Sequence, residues 1–225
     1  MTNKTFITTA LSIGTLAVTA NSCVALATSA IGVTIIKKVL LGGINKGLGI
    51  FKNKDAFLKN NLIDKALPKQ LIQVNSILEK ISPDLVTKER DYIAQAAAYT
   101  VNISEPILVN AVNSLTTEDI TRIAEGGSGM ATQILKEKTS AQLISAISPK
   151  VDEKLNEFGI VKSINTALQG NNILGSILGN NNSASLSASG GLSKLASEQL
   201  VNGLFNIIED YEKQNSQEIF KALGK

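Results

Sequence analysis

Carboxylates at close spacing are the groups in this chain whose type suits acid–base chemistry. They fall in three clusters, Glu118–Asp119, Asp152–Glu153 and Glu209–Asp210–Glu212. Two carboxylates work as acid and base when their surroundings drive their pKa values apart. Neighbouring acids on a helix point in different directions, so only Glu209 and Glu212, three apart, share a face. That spacing reads as a solvated helix face. Serine and threonine are plentiful, but with no histidine in the chain the usual base to activate them is missing. Tryptophan is also absent, and Cys23 is the single cysteine. A thiolate- or imidazole-rich metal site, His-ligated haem and Cys/His catalysis therefore lack their ligands. No catalytic, cofactor-binding or metal residue is assigned.

The densest glycine cluster, "RIAEGGSGMATQ" at residues 122–133, raises a second chemistry. A phosphate-binding loop needs a terminal Gly-Lys-Ser/Thr and a buried strand before it, so that N–H groups and a lysine converge on phosphate. Met130 and Ala131 stand where that lysine would be, and "TTEDITRIAE" before the glycines has helical character. Thr116 followed by Asp119 resembles a capping box, and Glu118 and Asp119 in the first turn suit the helix dipole. Gly126 or Gly127 then closes that helix in a left-handed conformation, and Ser128 caps the next. The cluster is read as a corner between helices.

The elements around it are helical throughout. Pro83 follows Ser82 as a first-turn proline after an N-cap, and "SPKVDEKLNEFG" repeats that grammar with Ser148, Pro149 and a terminating Gly159. Pro68 in "LPKQL" has the same first-turn reading. A helix from Pro83 is expected to run to about Asn102 and resume at Pro106 through Leu115, with Pro106 kinking or breaking it. Leu200, Val201, Leu204, Phe205 and Ile208 form one apolar face, and no stretch alternates as a strand would. The uncharged segment 169–193, rich in Asn, Ser and Gly, reads as a flexible loop. With 225 residues and 44% hydrophobic content, the expected fold is all-α, a single helical bundle over 28–225.

Phe6 to Ile36 holds no charged residue. Residues 1–27 read as a signal peptide or a membrane anchor. "ALA" at Ala25 to Ala27 offers a cut before Thr28, whereas "ANSC" at Ala20 to Cys23 is a degenerate lipoprotein box that makes Cys23 a lipid-attachment candidate. The net charge of +3 is uneven, +6 over residues 28–70 and −4 over 71–225. Val33, Ile36, Leu40, Ile44, Leu48 and Phe51 recur at helical spacing, with Lys38 and Lys52 on another face. This amphipathic stretch either lies on an anionic membrane surface through Lys37, Lys38, Lys46 and Lys52, or packs as the first helix of the bundle. Nucleic acid is not indicated, because arginine is scarce and no stacking aromatics are interleaved.

"NSLTTEDITRIAEGGSGMATQILKEKT" resembles the central motif of a bacterial family of exported helical proteins designated domain of unknown function 4197. Thr116, Glu118, Asp119, Gly126, Gly127, Ala131, Thr132, Lys138 and Thr139 carry the resemblance, with Leu67 and Pro68, Ala96 and Ala97, Pro149, Gly159, Gly203, Leu204 and Phe205. Leu115 stands for the family's Met and Asn202 for its Asp. The resemblance implies an exported fate and a helical fold, with Thr116, Glu118, Asp119, Gly126, Gly127, Thr132, Gly203 and Phe205 in structural roles. It implies no activity. The expected function is a non-enzymatic binding or structural module of the cell envelope, periplasmic or membrane-tethered, for a protein partner or an apolar ligand. The alternatives are an enzyme using carboxylates and lysines, or a membrane-surface protein.

Overall fold

The computed structural model describes residues 29–169 and 190–222. The segment 1–27 with Cys23, and the loop assigned to 169–193 except at its two ends, lie outside the described residues. The described residues form ten helices and no strand, so the chain is all-α. Four long helices make the frame: α1 (Ala30–Lys52), α5 (Pro83–Asn113), α7 (Met130–Glu157) and α9 (Gly190–Gln214). Each packs on the next, α1 on α5, α5 on α7, α7 on α9 and α9 on α1, which closes a ring around one apolar core running from Ile36 to Ile219. Short helices cover the frame. They are α2 (Lys54–Leu58), α3 (Asn61–Asp64), α4 (Lys69–Ile81), α6 (Thr117–Gly126), α8 (Ile160–Gln169) and α10 (Ser216–Ala222).

The apolar stripe of α1 is spent on this core. Ile36, Leu40, Ile44, Leu48 and Phe51 are all buried, and the helix packs on α5 and α9. Three of its lysines hold groups of the same chain: Lys37 donates to the Asn113 carbonyl at 2.9 Å, Lys46 lies 3.5 Å from Asp210, and Lys38 pairs with Glu218 at 3.9 Å. Among the described residues, no helix is long and apolar enough to cross a membrane.

The helix start expected at Pro149 is absent, and of the kink or break expected at Pro106 the break is absent. Pro106 does not break α5, which runs unbroken through it, and Pro149 lies inside α7 and starts no helix. A mid-helix proline frees the carbonyl four residues back. Here those residues, Asn102 and Ser145, are exposed, as are the prolines, so each proline sits on the solvent side of its helix, where a freed carbonyl costs least. Ser148 accordingly donates back to the Ile144 carbonyl at 2.6 Å and caps nothing. Gly159 ends α7 with φ +70°, as its position predicts. Pro68 is the residue preceding α4 and does not enter its first turn, and Ser82 precedes α5 without a side-chain cap bond. At the end of the loop assigned to 169–193, residues 190–193 belong to α9: Leu192 is buried and Ser193 donates to Asp152 Oδ1 at 2.7 Å.

Candidate functional site

Thr116 and Asp119 form the predicted capping box. The Asp119 amide donates to Thr116 Oγ1 at 3.2 Å, and the Thr116 amide donates to Asp119 Oδ2 at 2.8 Å. Lys138 of α7 adds an ion pair to the same carboxylate at 2.9 Å. Burial pushes the Asp119 carboxyl up, but the hydrogen bonds from Lys138 and Thr116 and the lysine charge outweigh it and hold the group below its ordinary value. Arg122 and Glu137, 2.9 Å apart, make a second tie between α6 and α7.

The turn between them needs two positive φ angles, Gly127 at +79° and Gly129 at +93°. Gly126 is the last helical residue of α6, and Gly129, which the sequence reading did not single out, is the left-handed residue that opens α7. Ser128 is exposed and makes no cap; the residue before α7 is Gly129, which has no side chain to cap with. The orphan N–H groups at the start of α7 find their acceptor 80 residues away. The Gly129 and Ala131 amides donate to Glu212 Oε1 at 2.9 and 3.2 Å, and the Thr132 amide and hydroxyl donate to Glu212 Oε2 at 2.7 and 2.6 Å. Glu212 is 1% exposed. The glycine turn is thus a corner that also cradles an anion, and the chain supplies the anion.

This overturns the reading of Glu209 and Glu212 as a solvated face. Glu212 falls four residues after Ile208, on the apolar stripe of α9, and is carried inward with it. Glu209 instead pairs with Lys213 at the surface beside Gly129. The clue in the sequence was a carboxylate in register with an apolar stripe, which demands a buried donor set. The remaining carboxylates of the three clusters have structural partners or face water. Asp152 accepts from Ser193, Glu153 pairs with Lys150, Asp210 with Lys46, and Glu118 is exposed.

Next to the clasp lies an open groove of about 310 Å³, walled by Ser128, Met130 and Gln133 on one side and Phe205, Asn206 and Glu209 on the other, with Gly126, Thr132 and Lys136 completing it. Three residues of the motif therefore border this groove, Gly126 at its exposed rim and the buried Thr132 and Phe205 beneath it. Thr116, Asp119 and Lys138 tie the start of α6 to α7. Gly203 does not join them: it faces α3, where a Cβ would come within 3.3 Å of the Ile63 Cα.

The turn geometry sets a graded expectation. Gly127 has open space around a would-be Cβ but a φ, ψ pair of +79°, −159° that is essentially restricted to glycine. Gly127→Ala is expected to lower folding stability by about 1–3 kcal/mol in urea titration, whereas Ser128→Ala should change it by less than about 0.5 kcal/mol. Equal losses at the two positions would contradict the cap geometry.

A family model described as a protein of unknown function (DUF4197) matches residues 27–221. No curated protein and no solved structure matches.

Proposed function

The chain belongs to the DUF4197 family, and we propose that it is a non-catalytic binding module of the bacterial cell envelope that recognises a protein segment in the groove over the α6–α7 turn. The observation that carries this reading is the open groove of about 310 Å³ over that turn, with the exposed Gly126 and Gln133 at its rim and the buried Thr132 and Phe205 beneath it. Its lining mixes the amides Gln133 and Asn206, the hydroxyl of Ser128, a cation, an anion and the half-buried apolar Met130. Such a surface suits a polypeptide, which offers main-chain hydrogen bonds and side chains together. An apolar ligand is supported less: the grooves of about 310 and 430 Å³ are open at the surface and carry charged residues, Lys136 and Glu209 in one and Glu79, Arg90 and Asp91 in the other. The enzyme reading loses its best carboxylate, because Glu212 already accepts four hydrogen bonds. Export is supported by the uncharged run from Phe6 and by a family match that starts at residue 27. On this reading residues 1–27 are a leader or an anchor.

The test is site-specific photocrosslinking in cells producing the full chain. A photoreactive residue at Gln133, in the groove, is expected to give a discrete protein adduct that Lys136→Glu abolishes. The same probe at Gln142, exposed on the opposite face of α7, is expected to give none. Identical adducts from both positions, or none from either, would remove the groove as a recognition surface.

A further inference from the structure

Glu89 lies on the inner side of α5, 1% exposed, and meets Asn75 of α4, itself 8% exposed. The polar contact between them is Asn75 Nδ2 donating to Glu89 Oε2 at 3.4 Å. Among the described residues, neither Glu89 Oε1 nor Asn75 Oδ1, both buried, has a hydrogen-bond partner. With the carboxyl ionised, both of these atoms are acceptors, and the pair is two oxygens short of donors in an apolar place. A single proton on Oε1 repairs both. Asn75 Oδ1 is the unpartnered acceptor on the side chain that already donates to Oε2, so the protonated acid is offered an acid–carboxamide pair.

No cation takes the proton's place. On α5, Arg90 reaches out to Asp64 of α3 at 2.7 Å and Asp91 is held by Lys54 of α2 at 2.6 Å, while Asp84 and Lys88 are exposed. On α4, Lys69, Glu79 and Lys80 are exposed, as are Lys162 of α8 and Lys194 of α9, and Glu198 of α9 is half-buried. Glu89 itself makes no ion pair among the described residues. Desolvation by burial raises its carboxyl from 4.5 to about 7, against smaller lowering by the Asn75 hydrogen bond and the Arg90 charge.

We infer that Glu89 and Asn75 form a proton-holding latch that docks α4 on α5 and loosens it when the proton leaves. Apart from this pair, α4 is held by the buried Leu71, Val74 and Leu78 and the half-buried Ile77, and it leaves Ile72 and Ile81 partly exposed. A groove of about 430 Å³ between α2, α4 and α5, lined by Leu58, Glu79, Val86 and Arg90, borders the helix that the latch secures. Because the docked state binds the proton more tightly than the open state, the docking free energy is complete below pH 4.5 and declines as pH rises through about 7.

Hydrogen exchange of the α4 amides, corrected for intrinsic rates, tests the latch in the full chain. Between pH 5.5 and 8, protection in α4 is expected to fall roughly 30-fold. In Glu89→Gln, whose carboxamide supplies the same donor and acceptor without titrating, it should stay level. A wild-type change below about threefold, or the same 30-fold fall in Glu89→Gln, would overturn the inference. Carbon-13 NMR of the Glu89 carboxyl in the unaltered protein gives an independent reading: a midpoint near 7 supports the latch, and one near 4.5 refutes it even if the variant fails to fold.

Discussion

Glu212→Ala is expected to cost about 3–5 kcal/mol of folding stability, because it removes a buried anion and strands the donors built around it. Three amides and one hydroxyl lose their acceptor together. They sit at the positive end of a 28-residue helix, where a negative charge is favourable. Glu212→Gln is the sharper probe, since it keeps the volume. One of its two terminal atoms becomes an NH₂ that must face amides or a hydroxyl already donating, so a loss of about 2–3 kcal/mol is expected. Thr132→Val removes the hydroxyl bond but keeps the amide, and should cost about 1–2 kcal/mol.

The Ala variant also makes a prediction that a simple packing defect would not. Its emptied cradle should accept formate or acetate, raising stability by about 1 kcal/mol at a concentration roughly five times the dissociation constant. The wild-type protein should show no such gain, since its own carboxylate already fills the site. Thermal melts of wild type, Glu212→Ala and Glu212→Gln with formate and with chloride at equal ionic strength separate these outcomes. If formate raises all three melting temperatures equally, the cradle is not an anion site.

Much of this arrangement could be read from local grammar. Thr116 and Asp119 announce a capping box, Gly159 a helix end, and the α1 stripe a buried face, because each depends on residues within one or two turns. The prolines were misread for the same reason. A proline after Ser82 and one after Ser148 look alike locally, yet only Pro83 starts a helix. What separates them is that α7 has a whole exposed side on which Pro149 can sit, a fact set by tertiary packing. The clasp was the hardest to foresee, since its two halves are 80 residues apart and neither is unusual alone. Glycine-led amides ask for an acceptor, and Glu212 on an apolar stripe asks for donors. Only the α7–α9 contact shows that they satisfy one another.

The glycines of α1 have a similar long-range reason, and Gly43→Val is expected to destabilise the fold by about 3 kcal/mol or more. A Cβ at Gly43 would lie 3.1–3.2 Å from the Cγ2, Cα and carbonyl oxygen of Ile208. Two of those three atoms are backbone and have no rotamer by which to yield. Gly47, one turn on, would place its Cβ 2.5 Å from Leu204 Cδ1, at the same α1–α9 crossing. Leu204 Cδ1 is a side-chain tip that can swing aside, so it is Gly43, facing backbone, that most needs to stay small for the helix axes to approach this closely, and the approach offsets the roughly 1 kcal/mol that a mid-helix glycine costs relative to alanine. Gly49 provides the control within the same helix, since nothing lies within 4 Å of its Cβ position. Gly49→Ala should raise stability by about 0.5–1 kcal/mol while Gly43→Val lowers it, as measured by urea denaturation. The crossing also bears on the clasp: Ile208 is one turn from Glu212, so pushing α9 away at Gly43 draws the carboxylate off the α7 amides. Gly43→Ala combined with Glu212→Gln should accordingly cost less than the two losses added, by about 0.5 kcal/mol or more. Strict additivity would mean that the helix contact and the clasp act independently.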